Sequence, residues 1–117
     1  MTLEYSEIVL FSANPEQSAM QMKVSLGWEE IERFGDSWIL LRTPGNGRVG
    51  YMKHEPKSDV PFPAPMIAFK STSIESDIAE IKLTGLSISD VTKGTDMWHA
   101  SYSDEFGNKI LIWQEPQ

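Results

Sequence analysis

Apolar and polar positions change period several times along the chain, and the changes mark the elements. Residues 3–11 end in the apolar run Ile8–Phe11 and, rich in β-branched and aromatic side chains, predict a strand. Asn14-Pro15-Glu16-Gln17 then starts a helix: a capping amide, a proline suited to the first turn, an acid at the positive end of the dipole, and a glutamine that makes a weak capping box. Ala19, Met22 and Leu26 follow at helical spacing, and Gly27 is a stop. Residues 28–33, 38–42 and 48–53 predict three strands, divided by Phe34-Gly35-Asp36 and by Thr43-Pro44-Gly45-Asn46-Gly47. Residues 55–65 hold four prolines and read as an extended connector.

The pattern then restarts. Residues 66–70 predict a strand, and Ser73-Ile74-Glu75 repeats the cap-then-acid chemistry of Asn14-Pro15-Glu16. Ile74, Ile78 and Ile81 share one helical face, and Gly85 stands where Gly27 stood. Strands are expected at 86–91, 97–103 and 109–113, with turns at Lys93-Gly94-Thr95-Asp96 and at 104–108. Placing Glu7 on Met66 puts Asn14 on Ser73, Glu16 on Glu75 and Met22 on Ile81; one residue must be skipped to align the glycines. The fold class is therefore α+β, a single domain of two βαβββ modules, about 1–54 and 66–117, joined by the connector 55–65.

Composition narrows the chemistry. With 117 residues and no cysteine, the chain can bury a core without staples, and thiol catalysis, disulfides and Cys-ligated metals are excluded. Ten Lys and Arg against seventeen Asp and Glu leave a net charge of −7, which argues against nucleic acid and anionic membrane as partners. The longest apolar runs are far too short to span a bilayer. Met1-Thr2-Leu3-Glu4 shows neither a basic start nor an apolar stretch, so a cytoplasmic location is expected.

The double βαβββ order carries two further motifs. One is the closing Ser103-Asp104-Glu105-Phe106-Gly107-Asn108, and the other is Asn14 followed by Leu26-Gly27-Trp28. Together they resemble the vicinal oxygen chelate superfamily, which includes glyoxalase, bleomycin- and fosfomycin-resistance proteins and extradiol dioxygenases. The late signature of that group is Asp-Pro-Asp-Gly-Asn. Asp104, Gly107 and Asn108 match it, whereas Glu105 and Phe106 replace Pro and Asp. The resemblance implies that the two units build a concave cleft of sheet for a ligand or metal, and that small members pair as homodimers. Bare sheet edges and the prevalence of two-fold pairing point the same way.

Metal-dependent members place His or Glu on the first and last strands of each unit. The corresponding positions here are Glu7, Met66, Leu111 and a residue near Tyr51 or Lys53. One carboxylate with a thioether and an aliphatic chain is not a site for Mn, Fe, Ni or Zn, so neither metal nor other cofactor is expected. The one histidine-rich alternative is Glu7, His54 and His99; otherwise both histidines are exposed polar residues, as His54 beside Glu55-Pro56 suggests.

Strand alternation turns Tyr5, Glu7, Val9 and Phe11 inward, together with Lys109, Leu111 and Trp113. Family parity adds His99 and Ser101 and sends Trp98, Ala100 and Tyr102 to the helix side. Four Trp, five Phe and three Tyr supply walls for a flat ligand, or simply fill the core. Glu7 could orient a cationic group, act as a base, or pair with Lys53 or Lys109. The expected function is a metal-free protein resembling bleomycin-resistance members. It would bind a planar or cationic organic ligand through Glu7, Phe11, His99, Ser101 and Trp113. The alternatives are a divalent-metal lyase, isomerase or dioxygenase, and a small interaction subunit.

Overall fold

The computed structural model describes every residue except Ser58, so that position of the connector lies outside the described residues. Eight strands and two helices are present among the described residues, in the order βαβββ twice. The chain divides into two compact units, Glu7–Pro65 and Met66–Gln117, the latter joined by Met1–Ser6. The first six residues thus belong with the second unit rather than the first, because Thr2 is hydrogen-bonded to Asp77 and Ser71 there.

In the first unit, β1 (Glu4–Ser12, from Glu7 onward), β2 (Glu29–Phe34), β3 (Trp38–Arg42) and β4 (Arg48–Lys53) lie in the order β2-β3-β4-β1, with β1 parallel to β4. Helix α1 (Pro15–Leu26) begins as expected: the Asn14 side chain accepts the Gln17 N–H at 3.1 Å. The helix covers one face of the sheet, burying Ala19 against Ile39, Leu41 and Tyr51, with Leu10, Met22 and Trp28 at the margin. Burial raises the pKa of the Tyr51 phenol. On the same side, Glu30 accepts from Arg33 and Lys23, and Arg33 also reaches Glu16 on α1. Arg33 first, then Lys23, hold the Glu30 carboxyl at a pKa of about 2.

In the second unit, β5 (Met66–Lys70), β6 (Thr92–Lys93), β7 (Trp98–Ser103) and β8 (Lys109–Gln114) lie in the order β5-β8-β7-β6. Helix α2 (Ile74–Leu83) places Ile74, Ile78 and Ile81 on Ala100 and Ile112, with Ile88 closing the cluster. Trp98, Tyr102 and Ile110 pack at its margin.

Two local expectations fail here. The strand expected at 86–91 is absent; on the side of β7 away from β8 the two-residue β6 takes its place. The Ile88 N–H turns back to the Leu86 carbonyl, a three-residue turn that breaks extension before a ladder can form. Ser73 does not cap α2 with its side chain. Instead the buried Gln114 of β8 accepts the Ile74 N–H at 2.7 Å, so the helix start is satisfied by tertiary structure.

The turn between β7 and β8 explains its own sequence. Asp104 Oδ1 accepts the N–H groups of Phe106 and Asn108, and Oδ2 accepts the Asn108 amide. Gly107 sits at φ 89°, where a side chain would be strained. These bonds, the Asn108 amide first, hold the Asp104 carboxyl below its ordinary pKa. An Asp104→Ala variant is expected to melt a few degrees lower than Asp104→Asn, whose carbonyl oxygen still accepts; thermal melts monitored by circular dichroism check this. No helix among the described residues is long and apolar enough to cross a membrane.

Candidate functional site

Each sheet has one face under its helix and one face turned away, and alternation along the strands assigns the residues. In the first unit Ile39, Leu41 and Tyr51 belong to the α1 core. The opposite row is therefore Val9 and Phe11 of β1, Trp38 and Leu40 of β3, and Gly50 and Met52 of β4, which stand as cross-strand partners. Glu7 continues the β1 row and is buried, as are Val9 and Leu40. At the β2 side, Glu32 is opposite Leu40 and Phe34 opposite Trp38, after a register shift between Glu30 and Glu32.

In the second unit Trp98, Ala100 and Tyr102 pack toward α2, as family parity required. His99 and Ser101 thus lie on the other face, paired with Trp113 and Leu111 of β8. Met66, Ala68 and Lys70 complete that face from β5, level with Lys109, Leu111 and Trp113. The Lys70 ammonium lies 5.0 Å from the centre of the Trp113 ring and 3.2 Å from Glu115. An internal cation therefore already covers part of the indole that sequence reasoning offered to a ligand.

The expected site residues fall into two groups. Glu7, which is buried, and Phe11, which is half-buried, lie on the face of the first unit turned from α1; His99, Ser101 and Trp113, all half-buried, lie on the face of the second turned from α2. Other expectations need correction. Tyr51 lies in the α1 core, and Lys53 is engaged by Asp36 and Glu55, so neither takes the remaining metal position nor does Lys53 serve as the partner of Glu7. Tyr5 does not join the inward row: it meets Phe69 edge-to-face at 6.2 Å, and the strand partner of Phe69 is the α2-side Ile112. His54 is not an exposed polar residue. It is half-buried between the rings of Phe11 (6.0 Å) and Phe62 (5.4 Å), where the connector returns over the end of β1.

Sequence reasoning counted Trp38 only as one of four tryptophans that could wall a site or fill the core. The outer edge of its six-membered ring sits against β4 at Gly50: a Cβ placed there would overlap Cη2 and stand 2.5 Å from Cζ2 and Cζ3. Its Nε1–H donates to Glu32 Oε2 at 3.1 Å. The signals were a glycine in mid-strand and a tryptophan out of phase with Ile39 and Leu41.

No family model matches the sequence, and no curated protein matches it. Solved structures do. A protein from Legionella pneumophila described as an NAD-dependent benzaldehyde dehydrogenase superposes with a TM-score of 0.74 at 16% identity, over 92% of this chain and 96% of that one. Methylmalonyl-CoA epimerase from Mycobacterium tuberculosis gives 0.69 at 13% identity, over 97% and 88%. A glyoxalase/bleomycin resistance protein/dioxygenase superfamily member from Vibrio splendidus gives 0.64 at 14% identity, over 97% and 100%. This chain has the vicinal oxygen chelate fold.

Names as different as dehydrogenase and epimerase among these structures show that the vicinal oxygen chelate fold does not fix chemistry, so the open faces must. The faces turned from the helices carry Glu7, Gly50 and Met52 in the first unit and Met66 and Leu111 in the second. A single hard donor among thioethers and aliphatic chains does not fit a divalent ion. Among the described residues no group of three or more His, Asp and Glu stands so that it could hold a metal ion.

Proposed function

We propose that this vicinal oxygen chelate protein binds a small planar organic cation without a metal, in the manner of bleomycin-resistance members. One observation carries the reading: the faces turned from the helices hold half-buried Phe11, His99 and Trp113 and a buried carboxylate, Glu7. On the first unit Phe11 offers ring area and Glu7 orients positive charge. On the second, Trp113 stacks while His99 and Ser101 offer hydrogen-bonding groups. A flat apolar ligand gains by burying area on such rings, and an aromatic face attracts cations by roughly 0.5–2 kcal/mol. The chain's net charge of −7 repels anions and adds to the preference.

Calorimetric titration with planar probes of three charges tests this: N-methylquinolinium, neutral quinoline and naphthalene sulfonate. The cation is expected to bind best. Trp113→Ala should weaken it about tenfold, in the range of a lost stacking contact. Glu7→Gln should remove most of the preference for the cation over quinoline. Strongest binding by the sulfonate would overturn the reading. Stoichiometric Zn, Ni, Mn or Fe in protein from supplemented medium, lost on Glu7→Ala, would replace it with the metal-dependent lyase, isomerase or dioxygenase.

A further inference from the structure

Three features of the first unit concern one side chain. Trp38 lies on the face turned away from α1, and its ring rests on the backbone of Gly50, the one residue type that allows so close an approach. Trp38 is half-buried, so part of the side chain remains accessible. Its Nε1–H is tied to the exposed carboxylate of Glu32, one strand away. Around it stand Met52 and the largely exposed Phe34, each the strand partner of Trp38.

We infer that Trp38 and Glu32 form a cation-selective stacking subsite, with Trp38 as its floor and Glu32 as its charge. This rests on the proposed function and deepens it. A ring seated against a glycine and fixed in rotation by a hydrogen bond is preorganised, so little rotamer freedom is lost when a ligand stacks on it. A carboxylate accepting from the indole N–H adds electron density to the ring, and a carboxylate has further lone pairs to face a cation beside it. Both effects favour a positive, flat or quaternary nitrogen group over a neutral ring of the same shape. Met52 and Phe34 give the subsite apolar and adaptable edges. The arrangement also stabilises the strand by covering Gly50, but covering a glycine requires neither the Glu32 bond nor an accessible indole.

Calorimetry with N-methylquinolinium and quinoline separates the two roles. Trp38→Leu is expected to weaken both probes about tenfold. Glu32→Gln keeps an oxygen that can accept the indole N–H but loses the charge; it should leave quinoline unchanged and weaken the cation about fivefold. Trp38→Phe keeps a stacking surface without the N–H tie and should fall between wild type and Trp38→Leu. Since Glu32 is exposed, its variant reports even where Trp38→Leu does not fold. Cation binding that Glu32→Gln leaves unaltered, or that Trp38→Leu leaves unaltered in folded protein, would overturn the subsite and leave the proposed function standing. If no probe binds wild-type protein at millimolar concentration, both fall together.

Discussion

Replacing Asp77 by Ala lowers the stability of this protein by about 2–4 kcal/mol, the range for stripping the acceptor from a buried hydrogen-bond network. Asp77 is 2% exposed and sits in the first turn of α2. Its carboxylate accepts from the Thr2 hydroxyl at 2.6 Å, the Ser71 hydroxyl at 2.7 Å and the Thr2 N–H at 3.2 and 3.3 Å. Ser71 Oγ in turn accepts the Ser73 N–H, and Thr2 Oγ1 the Thr72 N–H. Truncation leaves two hydroxyls and an N–H without their acceptor, and loosens Met1–Ser6 from the unit they complete.

Burial pushes the Asp77 pKa up, but the hydroxyl bonds from Thr2 and Ser71 outweigh it and the net shift is downward. A carboxyl with a depressed folded pKa contributes stability that is fully present above its unfolded value, near 3.9, and is lost as pH falls through the folded value. Wild-type protein should therefore lose stability below about pH 4 more steeply than Asp77→Asn, which carries no titrating group there. Urea denaturation from neutral pH down to acid, wild type against variant, measures the difference. Exposed carboxylates with lowered pKa values, such as Asp36 and Asp90, slope both curves alike and cancel. Parallel curves would show that the Asp77 network does not hold the charge.

The second large effect is a change of sign. Gly50→Ala puts a methyl group into the space of the Trp38 ring, which must leave. Overpacking of this kind costs about 1–3 kcal/mol. In a Trp38→Ala background the same substitution meets no ring. Alanine is then the better strand residue by roughly 0.5–1 kcal/mol, so Gly50→Ala should turn neutral or stabilising. A double-mutant cycle by chemical denaturation reads the coupling directly. Additive effects would mean that the ring does not rest on Gly50 in solution, and the stacking subsite would lose its floor.

Much of this protein was legible in its residues because the signals are local. Asn14-Pro15-Glu16 starts α1 since an amide and an N-terminal proline act within one turn, and the bounds of β3, β4 and β5 follow from apolar runs closed by turn residues. The Asp104, Gly107 and Asn108 pattern named both the turn and the resemblance, because that turn is built from its own side chains. Alternation put Val9 and Phe11 on the face away from α1 and family parity put His99 and Ser101 on the face away from α2, since a strand's period leaves only two faces to choose from, but the same alternation misplaced Tyr5.

What the sequence could not decide lies in contacts between distant positions. That Gln114, not Ser73, satisfies the start of α2 depends on a contact between residues forty positions apart. That 86–91 turns rather than extends depends on a backbone bond indifferent to side-chain pattern. The register of β4 against β1 set Tyr51 in the α1 core and Gly50 and Met52 on the opposite face, because a shift of one residue exchanges the faces of a strand. Only that register shows that Gly50 is the seat of Trp38, and that the pair belongs to the open face.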